Sequence, residues 1–262
     1  MNEGLIMKKT STSSPISRRA MLRSSGALAA TTAVLAACSS TKPSVARIGE
    51  SPTTVKLEDL AVTDVVLLRT AMSMETMAAA MLSDSAVTAL AKKDTAPVIA
   101  AFAADHTSHL EDLRVLISAR NGEAYSETNA KLMKAYGQNA LDLIASGKLP
   151  EDTLALTLAV ETLIASTYQY FVSLAAQPAV RADLVRLGGR SSRRAAVAAQ
   201  LINGGTGGFA PANDKDGVAL VATLPSAFGS LSTVQVKLGP PNEVGTRTTV
   251  LMDTPSLNSL IY

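Results

Sequence analysis

Residues 94–120, DTAPVIAAFAADHTSHLEDLRVLISAR, contain both histidines of the 262-residue chain, His106 and His109. Their spacing of three predicts that they stack on one face of a helix. Phe102, Leu113 and Leu116 fall on the same face, which makes it the face turned to a core. Imidazoles pointing into an apolar interior need partners. They are either neutral core histidines satisfied by hydroxyls or water, or a ligand pair completed by carboxylates from neighbouring helices.

On either side of this stretch the apolar period is helical from residue 57 to residue 203. A first helix is expected over residues 57–82, with Val65, Leu68, Met72, Glu75, Ala79 and Leu82 along one stripe. Ser83, Asp84 and Ser85 break it, and a short turn of helix follows to Leu90. The histidine helix opens at Asp94 as a cap, with Pro97 in its first turn, and stops at Asn121 and Gly122. A helix over residues 127–145 follows, then the most apolar one over residues 152–176. A last helix over residues 179–202 is expected to bend or break at Gly188 and Gly189. The additional helix in the middle is placed to carry the chain from the first pair of long helices to the second, as in a bundle with one long crossover.

Two carboxylates occupy apolar stripes at mid-helix. Glu75 lies among Leu68, Met72, Ala79 and Leu82, and Glu161 among Leu158, Ile164, Ala165 and Tyr168. A lone ionised carboxylate in such a setting costs several kcal/mol, so pairing or protonation is expected. Two such acids and a histidine doublet on three helices suggest one shared polar site. The alternative is that each glutamate faces outward or pairs with a surface arginine, Arg69 or Arg114.

This order of residues resembles the ferritin-like superfamily, and more narrowly its exported bacterial members. The resemblance covers residues 57–204 and rests on order and spacing. It implies an all-α fold: a ferritin-like four-helix bundle with a helical crossover, binding two iron or manganese ions through Glu, Glu-x-x-His, Glu and Glu-x-x-His. Glu75 matches the first position and Glu161 the third. The second pair is here His106 and His109, and the fourth falls on Ser191 and Arg194, neither of which is a family ligand. A second divalent ion beside Arg194 would meet strong repulsion in a weakly screened core. Two arrangements stay open: one iron, manganese or zinc ion on Glu75, His106, His109 and Glu161, or a metal-free site in which Arg194 pairs with Glu161 or Glu75. The balance of charge tips towards the second.

Residues 1–37 read as an export signal. Arg18 and Arg19, in SRRAML, resemble a twin-arginine motif ahead of the apolar run 26–37. That run is shorter than the roughly 20 residues of a membrane span. LAAC, ending at Cys38, looks like a lipobox whose cysteine is lipidated. Residues 38–56 then form a polar tether. The leader holds five basic residues and one acid; without it, 24 basic and 22 acidic residues become 19 and 21, and a formal charge of +2 becomes −2. No basic patch with interleaved aromatics appears, so nucleic acid is not an expected partner. With Cys38 lipidated no thiol remains for a disulfide or a metal.

Residues 205–262 form a proline-bearing extension in which 232–238 (STVQVKL) and 247–252 (RTTVLM) alternate as two short β segments. The apolar end, LNSLIY, is expected to dock on the bundle or on a partner. No nucleophile–histidine–acid set and no phosphate-binding loop is apparent, and the sequence leaves enzymatic activity undecided. The expectation is an extracytoplasmic protein held to the membrane through Cys38 and exported by the twin-arginine translocase. It acts there as a non-enzymatic binding or structural module with a degenerate metal site. The alternative is a single-metal or redox protein in iron handling or oxidant defence. A second copy or another envelope protein stays open as a partner.

Overall fold

The computed structural model describes residues 61–203, 216 and 233–262. The expected signal with Arg18 and Arg19, Cys38 and the tether lie outside the described residues, as do residues 57–60 and residues 204–232 other than Asp216. What is described is mostly helical, with a two-stranded sheet near the C-terminus.

The first helix, α1 (Asp64–Leu82), starts seven residues later than the apolar pattern suggests. Residues 61–63 are not helical. Thr63 is extended, and its Oγ1 accepts from the Val66 N–H at 3.3 Å. The side-chain cap sets the start, and Asp64 in the first turn complements the helix dipole. Nearly every face of α1 is covered, with Leu67, Met74, Met77 and Met81 fully buried. Each such side chain contributes about 1.5–3 kcal/mol relative to an exposed one.

A short helix, α2 (Ser85–Thr88), follows the break, capped by Asp84. The histidine helix is α3 (Ala96–Ser118). Its N-cap position is taken by Thr95 rather than Asp94, and no side chain caps it. Pro97 in the first turn lacks an N–H that would have been unpaired in any case. Asn121, with φ of 54°, turns the chain, and Gly122 N–H returns to the Ile117 carbonyl at 3.0 Å. The helix expected from residue 127 starts three residues later. Asn129 caps Ala130–Leu132, a π-helical turn Met133–Gly137 follows, and Gln138–Gly147 completes the run, together α4. The last long helices are α5 (Glu151–Leu174) and α6 (Pro178–Asn203).

No break interrupts α6 at Gly188 and Gly189, against the expectation from sequence. A Cβ on Gly188 would lie 2.7 Å from the Tyr168 Cβ. The glycine serves close approach of α5 and α6, and their packing outweighs its helix-propensity cost of about 1 kcal/mol.

α1 packs against α3 and α5 against α6, and the two pairs meet through α1 and α5. Asp64 locks the α5–α6 link, accepting from Ala176 N–H at 2.7 Å and Gln177 N–H at 3.0 Å. The strands β1 (Thr233–Leu238) and β2 (Thr248–Asp253) are antiparallel, with Val234 opposite Met252 and Val236 opposite Val250. Those four side chains are buried. Buried Asp152 at the start of α5 fastens the hairpin: it accepts from Gly239 N–H at 2.8 Å and pairs with Arg247. Gly239 has φ of 77°, a conformation that favours glycine. The end of the chain docks on the helices. Ile261 N–H donates to Thr70 Oγ1 at 2.8 Å, and Asn129 Nδ2 to the Ser259 carbonyl at 3.0 Å.

Candidate functional site

Four helices each send a polar side chain to one interior point. Glu75 comes from the middle of α1, His106 and His109 from α3, Glu161 from α5 and Arg194 from α6. Glu75, Glu161 and both histidines have no exposed surface, and Arg194 has 5%. Heptad-like placement explains the convergence: each of these residues takes a position that an apolar residue would otherwise occupy.

His106 is the hub. Its Nδ1 lies 2.5 Å from Glu75 Oε2 and its Nε2 lies 3.0 Å from Glu161 Oε1. Two carboxylate acceptors on two ring nitrogens call for N–H at both, the imidazolium form. Burial opposes that charge, but the charges of Glu75 and Glu161 and their hydrogen bonds raise the His106 pKa to about 9. Burial would likewise raise Glu75, yet the imidazolium and the hydrogen bonds from both histidines hold it down to about 2. Glu75 Oε1 also accepts from Tyr168 Oη at 2.6 Å and from His109 Nδ1 at 3.1 Å. Burial and the neighbouring Glu75 carboxylate push the Tyr168 hydroxyl well above the ordinary tyrosine value, so it stays a donor.

Arg194 closes the other end. Its Nε donates to Glu161 Oε1 at 2.7 Å and its Nη2 to Ser191 Oγ at 2.9 Å. The guanidinium stands over the Phe102 ring with its carbon 5.9 Å from the centroid. Two carboxylates therefore face one imidazolium and one guanidinium, and the formal charges cancel. The surface arginines weighed as alternatives lie elsewhere: Arg114 pairs with Glu111, and Arg69 donates to the carbonyls of Glu123 and Tyr262.

No protein-family model, curated protein or solved structure matches this chain. The site is therefore read from its own donors.

Glu75, His106 and His109 could hold a metal ion, since each offers a ligand atom and these atoms lie within 4.8 Å of one another. His109 Nε2 is buried without a hydrogen-bond partner among the described residues, which leaves a donor atom available. Glu161 meets His106 but falls outside this three-residue set, and its Oε1 is engaged by Arg194. Arg194 Nη2 stands 3.4 Å from His106 Nδ1, so a cation here would face a guanidinium at short range. The donors fit one ion, and Ser191 and Arg194 supply no ligand for a second.

Tyr168 belongs to the buried network and exposed Asp105 borders it, although the sequence pattern marks neither as a site residue. Tyr168 follows Glu161 by two helical turns, which places it on the same face, and that spacing was the signal. Asp105, next to His106, has its carboxylate 3.6 Å from Arg194 Nη1, and nothing local in the sequence marks it.

Proposed function

We propose that this chain is a lipid-anchored, extracytoplasmic ferritin-like protein, a four-helix bundle whose metal centre has given way to a buried, charge-balanced side-chain network. It acts as a non-enzymatic binding or structural module of the cell envelope. The observation that carries the reading is the 2.7 Å contact of Arg194 Nε with Glu161 Oε1. In the register of the resemblance, a family ligand is expected on α6 at that position. A guanidinium there donates to the same carboxylate that a metal would bind, and its planar fork suits the task. With His106 bridging both glutamates, each carboxylate has a cationic partner without an ion. Elemental analysis of the protein taken from its native envelope tests this. The expected result is less than about a tenth of an equivalent of iron, manganese or zinc; near-stoichiometric metal on folded protein counts against it.

A second reading has its own observation, the unpartnered Nε2 of His109 beside Glu75 and His106. One divalent ion held by these three residues would supply Lewis-acid or one-electron chemistry, and the protein would serve in iron handling or oxidant defence. His106 would then give up a proton to ligate. This reading predicts bound metal that disappears in His109→Ala while the helical circular dichroism is retained.

A further inference from the structure

Arg194 spends only its inner nitrogens on the network. Its Nη1 is buried and has no hydrogen-bond partner among the described residues; the nearest carboxylate oxygen, Asp105 Oδ2, is 3.6 Å away. Arg194 is also one of the residues lining a surface pocket of about 410 Å³, with Asp105, Arg190, Arg193 and Val197. Arg190 is half-buried and Arg193 exposed, and neither has an ion-pair partner among the described residues. Three guanidiniums thus face one carboxylate across a concave surface. One of the three is fixed rigidly, clamped by Glu161, Ser191 and the face of Phe102. Rigidly held arginine forks match the oxygens of phosphate-type anions and bind them by charge-assisted hydrogen bonds.

Asp105 narrows the choice of anion. A carboxylate at the wall repels a fully ionised oxyanion, but it accepts a hydrogen bond from one that still carries a proton. We infer that this pocket binds hydrogen phosphate, with Arg190 and Arg193 donating to its charged oxygens, the buried Arg194 guanidinium adding positive charge from the wall, and Asp105 accepting from its P–OH. Sulfate at neutral pH has no such proton, and neither has the phosphodiester of a common lipid headgroup. Both meet Asp105 as like charges. The pocket adjoins the buried network through Arg194, whose Nη2 lies 3.4 Å from His106 Nδ1, while Arg190 and Arg193 take no part in that network.

Isothermal titration of the full chain carrying C38S, which removes any acyl anchor, with inorganic phosphate, with sulfate, and with phosphatidylglycerol vesicles tests it. Saturable phosphate binding is expected at micromolar to low-millimolar concentrations, with sulfate and vesicles weaker by about tenfold or more. The double variant R190Q/R193Q should weaken phosphate by about tenfold or more with its unfolding midpoint unchanged. D105N should bring sulfate up to the affinity of phosphate. Three results would overturn the inference: no saturable phosphate uptake to about 10 mM, unchanged affinity in R190Q/R193Q, or sulfate bound by the C38S chain as tightly as phosphate. The comparison of phosphate with sulfate on the chain carrying C38S alone stands even where a pocket variant fails to fold.

Discussion

Glu161 and Arg194 hold each other in a place neither would occupy alone. Removing Arg194 leaves His106 as the one cationic partner shared by two buried carboxylates, so Arg194→Met should cost about 3 kcal/mol in urea unfolding. Replacing both, Glu161→Leu with Arg194→Met, should cost clearly less than the sum of the single variants. The His106–Glu75 pair sets the pH response. His106 rises from an ordinary 6.5 to about 9 in the folded chain, so its contribution is complete below 6.5 and lost as pH climbs through 9. Glu75 falls from 4.5 to about 2, so its contribution is complete above 4.5 and lost as pH drops through 2. Urea midpoints across pH should therefore show a plateau between 4.5 and 6.5 with a decline on both sides, and His106→Gln should flatten the alkaline limb. At this scale the sequence was informative where polar residues interrupt an apolar stripe, as Glu75, His106, His109 and Glu161 do. Tyr168 escaped because an aromatic at helical spacing looks like ordinary core until its hydroxyl is seen against Glu75.

Helix geometry decides how firmly that network is held. Gly188 lets α6 approach Tyr168, and Gly188→Ala places a Cβ 2.7 Å from the Tyr168 Cβ. The two helices must separate or distort, with an expected loss of about 1–3 kcal/mol in thermal unfolding. Tyr168→Phe keeps the packing and removes only the hydroxyl donor to Glu75. It should cost about 1–3 kcal/mol, and a loss below a few tenths would show that the bond carries no stability. The long helices were legible because their period repeats over many turns. Their ends were less so. The start of α1 rests on Thr63, one hydroxyl in an otherwise continuous apolar pattern. Gly188 and Gly189 read locally as a stop, yet tertiary packing carries α6 through them. The hairpin was visible from its alternation, whereas its fastening to Asp152 joins residues far apart in sequence.

For the molecule as a whole, the anchor and the interior are separate claims with separate tests. Cys38→Ser should move the protein from the membrane fraction to the soluble extracytoplasmic fraction, and replacing Arg18 and Arg19 by lysine should hold it in the cytoplasm. The interior claim is that side chains balance the charge unaided. An ion bound at a hundred times its Kd would add about 2.7 kcal/mol of stability, which for a domain of this size raises Tm by about 5–10 °C. The most direct measurement is thermal unfolding of the purified chain with chelator and with excess Mn²⁺, Fe²⁺ or Zn²⁺. The account predicts the same Tm within about 1 °C under every condition. A saturable rise of several degrees with one of these ions, absent from His109→Ala, would contradict it.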